Sequence, residues 1–151
     1  MSRKRPAVAC LVLGAVIMLT GCASAAPAEA PPATVTPIAG SQVPRLELTD
    51  RAIQRLGVKT QPVREMAGAA GPGTAGAREV IPYSAVVYDT DGSTWTYVNT
   101  AARTYVRQPI RIAAIQGDIA ILSAGPPAGA AVVTVGAAEL LGTEYNISGE
   151  E

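Results

Sequence analysis

Few residues in this chain have the types and spacing that do chemistry. Gly71, Gly73 and Gly76 in "GPGTAG" make a G-x-G-x-x-G, the spacing at which a strand-to-helix turn brings backbone amides onto a pyrophosphate. Asp89, Asp91 and Asp118 offer carboxylate oxygens of the kind that hold a cation. Arg103, Arg107 and Arg111 recur every four residues in an extended segment, an arrangement that suits an acidic partner. Trp95 and Tyr97 stand two apart, share one strand face, and either pack in the core or line a groove for a ligand or partner. Asn146 opens the glycosylation pattern N-I-S, read as fortuitous so near the tail. The 151 residues contain no histidine, so neither a Ser-His-Asp nor a Cys-His arrangement can be built. No pair of carboxylates suits acid–base work. No catalytic residue, metal ligand or cofactor is assigned, and an enzyme is not expected.

The elements around these residues decide among the readings. A dinucleotide turn needs a helix after its last glycine, whereas "AREVIPYSAVVY" brings Pro82 and β-branched residues. The glycines are therefore read as a joint, and no nucleotide is expected. Asp91-Gly92 and Gly117-Asp118 are turn signals, and turn chemistry accounts for all three aspartates. In a strand, even spacing puts the three arginines on one face, read as the solvated one.

The chain's start is organised differently. Arg3, Lys4 and Arg5 precede an apolar run from Ala7 to Leu19, about 13 residues and too short to span a bilayer comfortably. A basic head, a short apolar body and small residues describe a secretory signal. Leu19, Thr20, Gly21 and Cys22 resemble the lipobox of bacterial lipoproteins. That resemblance implies a diacylglyceryl group on the Cys22 sulfur, cleavage before Cys22, and a protein anchored to the outer face of the cytoplasmic membrane. Removing the signal takes Cys10 and leaves nine basic residues against twelve acidic ones, a net charge of −3, which offers nothing to nucleic acid.

Residues 22–44 hold the lipidated Cys22 and an Ala/Pro-rich stretch without apolar periodicity, read as a disordered tether. "RLEL" alternates as a strand does, and "TDRAIQRLG" reads as a short helix capped by Thr49 or Asp50 and stopped by Gly57. Gly and Pro together number 27, and after the glycine stretch come short runs of β-branched residues between turns. Expected core positions are Val86, Val98, Val106, Ile110, Ile112, Ile119, Ile121, Val133 and Val135. The fold class expected is mainly β: a small roll or barrel of about 6–7 short strands with one short helix. Its boundaries are 45–66 and 78–145, joined by a Gly-rich linker at 67–77, with a tail at 146–151 of which the preceding residues hold at most one helical turn.

Two stretches resemble the periplasmic adaptors, or membrane fusion proteins, of efflux pumps. "LELTDRAIQRLGVKTQPV" is similar to the entry segment of their membrane-proximal domain. "VIPYSAVV", "WTYV", "YVRQPIRI" and "QGDIAILSAGPPAGAAVVTVGAAEL" are similar to its later strands. Gly125-Pro126 stands where the family has Gly-Leu, and Gly129-Ala130-Ala131 where it has Gly-Asp before Val-Val. The chain lacks the barrel, lipoyl and hairpin domains that full adaptors insert between the two halves. The resemblance implies an envelope interaction module docking on an inner-membrane transporter of the RND or ABC type, or on another envelope protein. The alternative is a lipoprotein that binds a small ligand or cell-wall component near Trp95 and Tyr97.

Overall fold

The computed structural model describes residues 31–67 and 77–145. Alternating "RLEL" forms β2 (Arg45–Leu48), with Leu46 and Leu48 buried and Arg45 and Glu47 exposed. Helix α1 (Asp50–Leu56) follows. The Thr49 hydroxyl accepts from the Ala52 N–H, and Gly57 takes the left-handed conformation (φ 63°) that closes the helix. Then come β3 (Lys59–Pro62), β4 (Arg64–Ala67) and, after the glycine stretch, β5 (Ala77–Pro82). A single 3-10 turn (Tyr83–Ala85) leads to β6 (Val87–Tyr88), β7 (Thr94–Ala101) and β8 (Thr104–Pro109). The chain continues through β9 (Arg111–Gln116), β10 (Ile119–Ala124), β11 (Ala131–Val135) and helix α2 (Ala137–Glu144). At Gly117-Asp118 a two-residue hairpin joins β9 to β10. Gly117 alone carries the positive φ (61°), as a type II′ turn requires.

The seven-stranded sheet runs β1-β2-β8-β7-β11-β3, with β6 also on β7, where β1 is Ala33–Thr36. The four-stranded sheet runs β4-β5-β10-β9. All pairings are antiparallel, and both sheets are open rather than closed into a barrel. The mainly β fold agrees with expectation. The tether expected to reach residue 44 instead yields β1, whose Thr-Val-Thr pairs with β2 from Ala33↔Leu48 to Thr36↔Arg45. The tail region holds eight helical residues, about two turns, in place of one.

Three layers result. One face of the large sheet carries Leu46, Leu48, Tyr97, Tyr105 and Val133, packed with Ala52, Ala137 and Leu140 of the helices. The other face carries Val98 and Val132, packed with Ile81, Ala120 and Leu122 of the small sheet. Adjacent residues of β7 (Tyr97, Val98) and of β11 (Val132, Val133) are therefore all buried, because successive strand residues point to opposite faces and both faces are covered. Of the expected core, Val98, Ile110, Ile121 and Val133 are buried. Val135 is 43 % exposed, beyond a register shift between Val133 and Val135.

Candidate functional site

β8 sets Arg107 directly opposite Tyr97 of β7. Its guanidinium is covered by protein on the helix side of the large sheet, with only 7 % of the side chain exposed. This corrects the expectation of a solvated arginine face. Tyr105 and Arg107 share the helix-covered face, while half-buried Val106 turns with its partner Val98 toward the small sheet; the expectation erred in leaving the face of Arg107 to solvent. The three arginines separate completely: Arg103 makes an exposed 3.1 Å pair with Asp50, Arg111 is exposed, and Arg107 is the centre of a buried network.

Three chain segments converge on Arg107. Its Nη1 donates to Asp89 Oδ2 at 2.6 Å, from the loop after β6. Its Nη2 lies 3.0 Å from Glu144 Oε1, at the end of α2. The Trp95 ring lies 4.4 Å from the guanidinium carbon and the Tyr145 ring 5.6 Å, both within cation–π range. The Tyr145 hydroxyl donates to Asp89 Oδ1 at 2.7 Å, and the Tyr97 hydroxyl to Glu144 Oε2 at 2.6 Å. Each carboxylate is thereby shared between the arginine and a phenol. Arg107 Nε is buried without a partner among the described residues. Glu144 stands at a helix C-terminus, where the dipole disfavours an anion and the last turn of α2 offers no basic residue; Arg107 supplies that cation.

The electrostatics follow from these contacts. The Tyr145 hydroxyl, the Thr90 N–H and Arg107 hold the Asp89 carboxyl down at about 2. Burial, and then the hydrogen bond to Glu144, pushes the Tyr97 phenol far above its ordinary value. The Tyr145 phenol is raised, chiefly by its bond to Asp89. Burial opposes the charge on Arg107, yet Tyr145, Asp89 and Glu144 outweigh it and the guanidinium stays charged. Proton transfer near neutrality needs groups that titrate near neutrality. The contacts shift Asp89 down and Tyr97, Arg107 and Tyr145 up, in each case further from neutrality.

The remaining sequence-derived candidates lie as follows. Tyr97 is fully buried and belongs to the core, one of the two readings open for it; Trp95 is half-buried beneath Arg107. Asp91 accepts from the Ser93 N–H and hydroxyl, and the Trp95 indole donates to that hydroxyl at 2.7 Å, which is turn chemistry. Asp89 takes part in the turn through Thr90 and also in the network, a role its spacing did not suggest. Asp118 bounds the β9–β10 turn, and the described residues contain no cluster of three or more metal-ligating side chains. Leu19, Thr20, Gly21, Cys22, Gly71, Gly73, Gly76 and Asn146 lie outside the described residues. The strands on either side of the glycine stretch pair antiparallel, from Arg64↔Val80 to Ala67↔Ala77, where a dinucleotide turn leads into a helix and a parallel strand. Among the described residues no helix is long and apolar enough to cross a membrane. No protein-family model, curated protein or solved structure matches the chain.

Proposed function

We propose that this protein is a lipid-anchored interaction module of the cell envelope. Cys22 holds it at the outer face of the cytoplasmic membrane, and its β domain docks on a membrane transporter or another envelope complex. The observation that carries the reading is the interleaving of two chain pieces. Strands before residues 68–76 sit beside strands after them: β2 on β8, β3 on β11 and β4 on β5. The adaptors that the sequence resembles build their membrane-proximal domain from two such pieces. Without the inserted domains of a full adaptor, the module cannot itself form a conduit.

The reading is tested in two steps. Cys22→Ser removes the thiol that accepts the lipid, so the chain stays unprocessed or leaves the membrane fraction; cleavage and retention as before overturn the anchor. A photo-crosslinking residue in place of Tyr88, 49 % exposed, is then expected to capture an integral membrane transporter in intact cells. Adducts confined to cell-wall material overturn the docking. A ligand-binding alternative would use one of two open clefts away from Trp95 and Tyr97, of about 690 Å³ beside Arg64, Val80 and Tyr83 and about 610 Å³ between the helices. Both are within the size range of small-molecule sites.

A further inference from the structure

The helix-covered side of the large sheet is open along one edge. There β1, α1 and α2 leave a cleft of about 610 Å³, lined by buried Leu48 and Ala52, half-buried Leu56 and Gly142, and Val35. Val35 is 40 % exposed, an apolar side chain on the cleft that no neighbour covers fully. A Cβ added to Gly142 would meet nothing within 4 Å, so the space beside α2 is empty of described atoms. The charged lining residues, Arg55 and Glu139, are both exposed and of opposite sign, and the hydroxyl of half-buried Thr143 donates to the Glu139 carbonyl, which leaves the buried residues of the lining, Leu48 and Ala52, apolar. Such a surface suits an unbranched hydrocarbon and offers nothing to bind a polar ligand in its depth.

The chain itself indicates the occupant. Pro31, where the described structure begins, is a lining residue of this cleft, and Cys22 stands nine positions before it. Nine residues extend to at most about 30 Å, so a lipid on Cys22 is delivered within reach of the opening. We propose that the cleft takes one acyl chain of the lipid on Cys22. This inference rests on the lipoprotein reading. Moving one chain from bilayer to cleft exchanges one apolar surrounding for another, and the second chain of the diacylglyceryl group stays in the membrane as a weak anchor. The consequence is orientation. A domain on a free tether turns at will, whereas one that holds its own acyl chain presents the β1–α1–α2 edge to the bilayer.

The experiment uses full-length protein from cells fed a photoactivatable fatty acid. The mass of the Cys22 peptide is read first: an unlipidated Cys22 overturns the anchor and this inference together. With lipid present, irradiation is expected to link the Cys22 lipid to peptides containing Val35, Leu56 or Gly142. A lipidated Cys22 with no such link overturns the inference alone and leaves the anchor standing. Adducts at those residues that carry a separate phospholipid, or a partner's helix, also overturn it. The control is Gly142→Leu, whose Cβ meets nothing within 4 Å, which adds apolar bulk at a residue lining the cleft, and which favours the helix over glycine. Loss of the link with an unchanged or higher melting temperature supports the cleft as the site. An undiminished link in that variant overturns it, since the contact would then lie on the surface.

Discussion

The two faces of the large sheet are buried by different means. Against the small sheet, Val98 and Val132 meet Ile81, Ala120 and Leu122, an apolar interface throughout, with one stranded polar atom, Thr96 Oγ1. Against the helices, Leu46, Tyr97 and Val133 lie beside a buried arginine, two carboxylates and two phenols. Sheet faces meet through side chains alone, whereas a helix end brings polar groups with it. The end of α2 places Glu144 and Tyr145 where Arg107 can use them. Apolar contacts tolerate many arrangements. The Arg107 network makes its hydrogen bonds and ion pairs only with the end of α2 seated as it is, although Arg107 Nε stays unpartnered.

The largest expected effect breaks the network. Arg107→Ala leaves Asp89 and Glu144 without their shared cation, and removing one member of a buried ionic set costs about 3–5 kcal/mol. The loss should appear as an earlier urea transition of Trp95 fluorescence; a change under about 1 kcal/mol would mean that the network is solvated and contributes as surface pairs do. Leu122→Ala breaks the other face. Leu122 is 1 % exposed, and such truncations cost about 2–5 kcal/mol through lost burial and the cavity left behind.

The helix-covered face also carries a pH dependence that the sheet-covered face lacks. Asp89 titrates at about 2 when folded against 3.8 when free, so its contribution is present above pH 3.8 and is lost as pH falls through 2. Tyr97 has a raised folded value, so its neutral form belongs to the fold. Its contribution is complete below the free value of 10.0 and is lost as pH rises beyond it. Stability against pH should therefore fall at both ends in the parent and in Leu122→Ala. Asp89→Asn should flatten the acid limb and Tyr97→Phe the alkaline one. Limbs unchanged in these two variants would place the titrating groups elsewhere.

Smaller changes sharpen the contrast. Thr96→Val replaces a buried, unpartnered hydroxyl with a methyl of the same shape, and should raise stability by about 1 kcal/mol because nothing is left unsatisfied. A loss on calorimetry would reveal a partner for that oxygen. The smallest effect belongs to Arg103→Gly. It gives up an exposed pair with Asp50 worth about 0–1 kcal/mol and relieves a left-handed backbone (φ 61°) that glycine adopts freely. The melting temperature should stay within a few degrees or rise. A fall matching that of Arg107→Ala would erase the distinction between the buried and the exposed arginine.

Legibility followed the range of the interactions. Helix α1 was readable because its signals are adjacent: Thr49 caps Ala52 three residues on, and Gly57 stops it. Helix α2 was under-read because it begins after a glycine with no side-chain cap and carries Gly142 inside. Strand β1 was missed because Ala, Pro and Thr composition concealed four residues whose partner lies at 45–48. The core list failed where a strand is covered on both faces, as at Tyr97 and Leu122, since alternation then marks parity without marking burial.

By itself the sequence determined the caps, the tight turns and the places where strands break, because these depend on the φ/ψ preferences of a few contiguous residues. It also determined the overall mainly β class, since its many turn residues and short β-branched runs suit little else. Only the tertiary structure decided which parity of β8 faces the helices, and hence that Arg107 is buried. Only it joined Tyr97 to Glu144 across 47 positions. A charge in a strand reads as solvated until the fold supplies counter-charges. Here those counter-charges come from a loop and a helix end that no local pattern ties to β8.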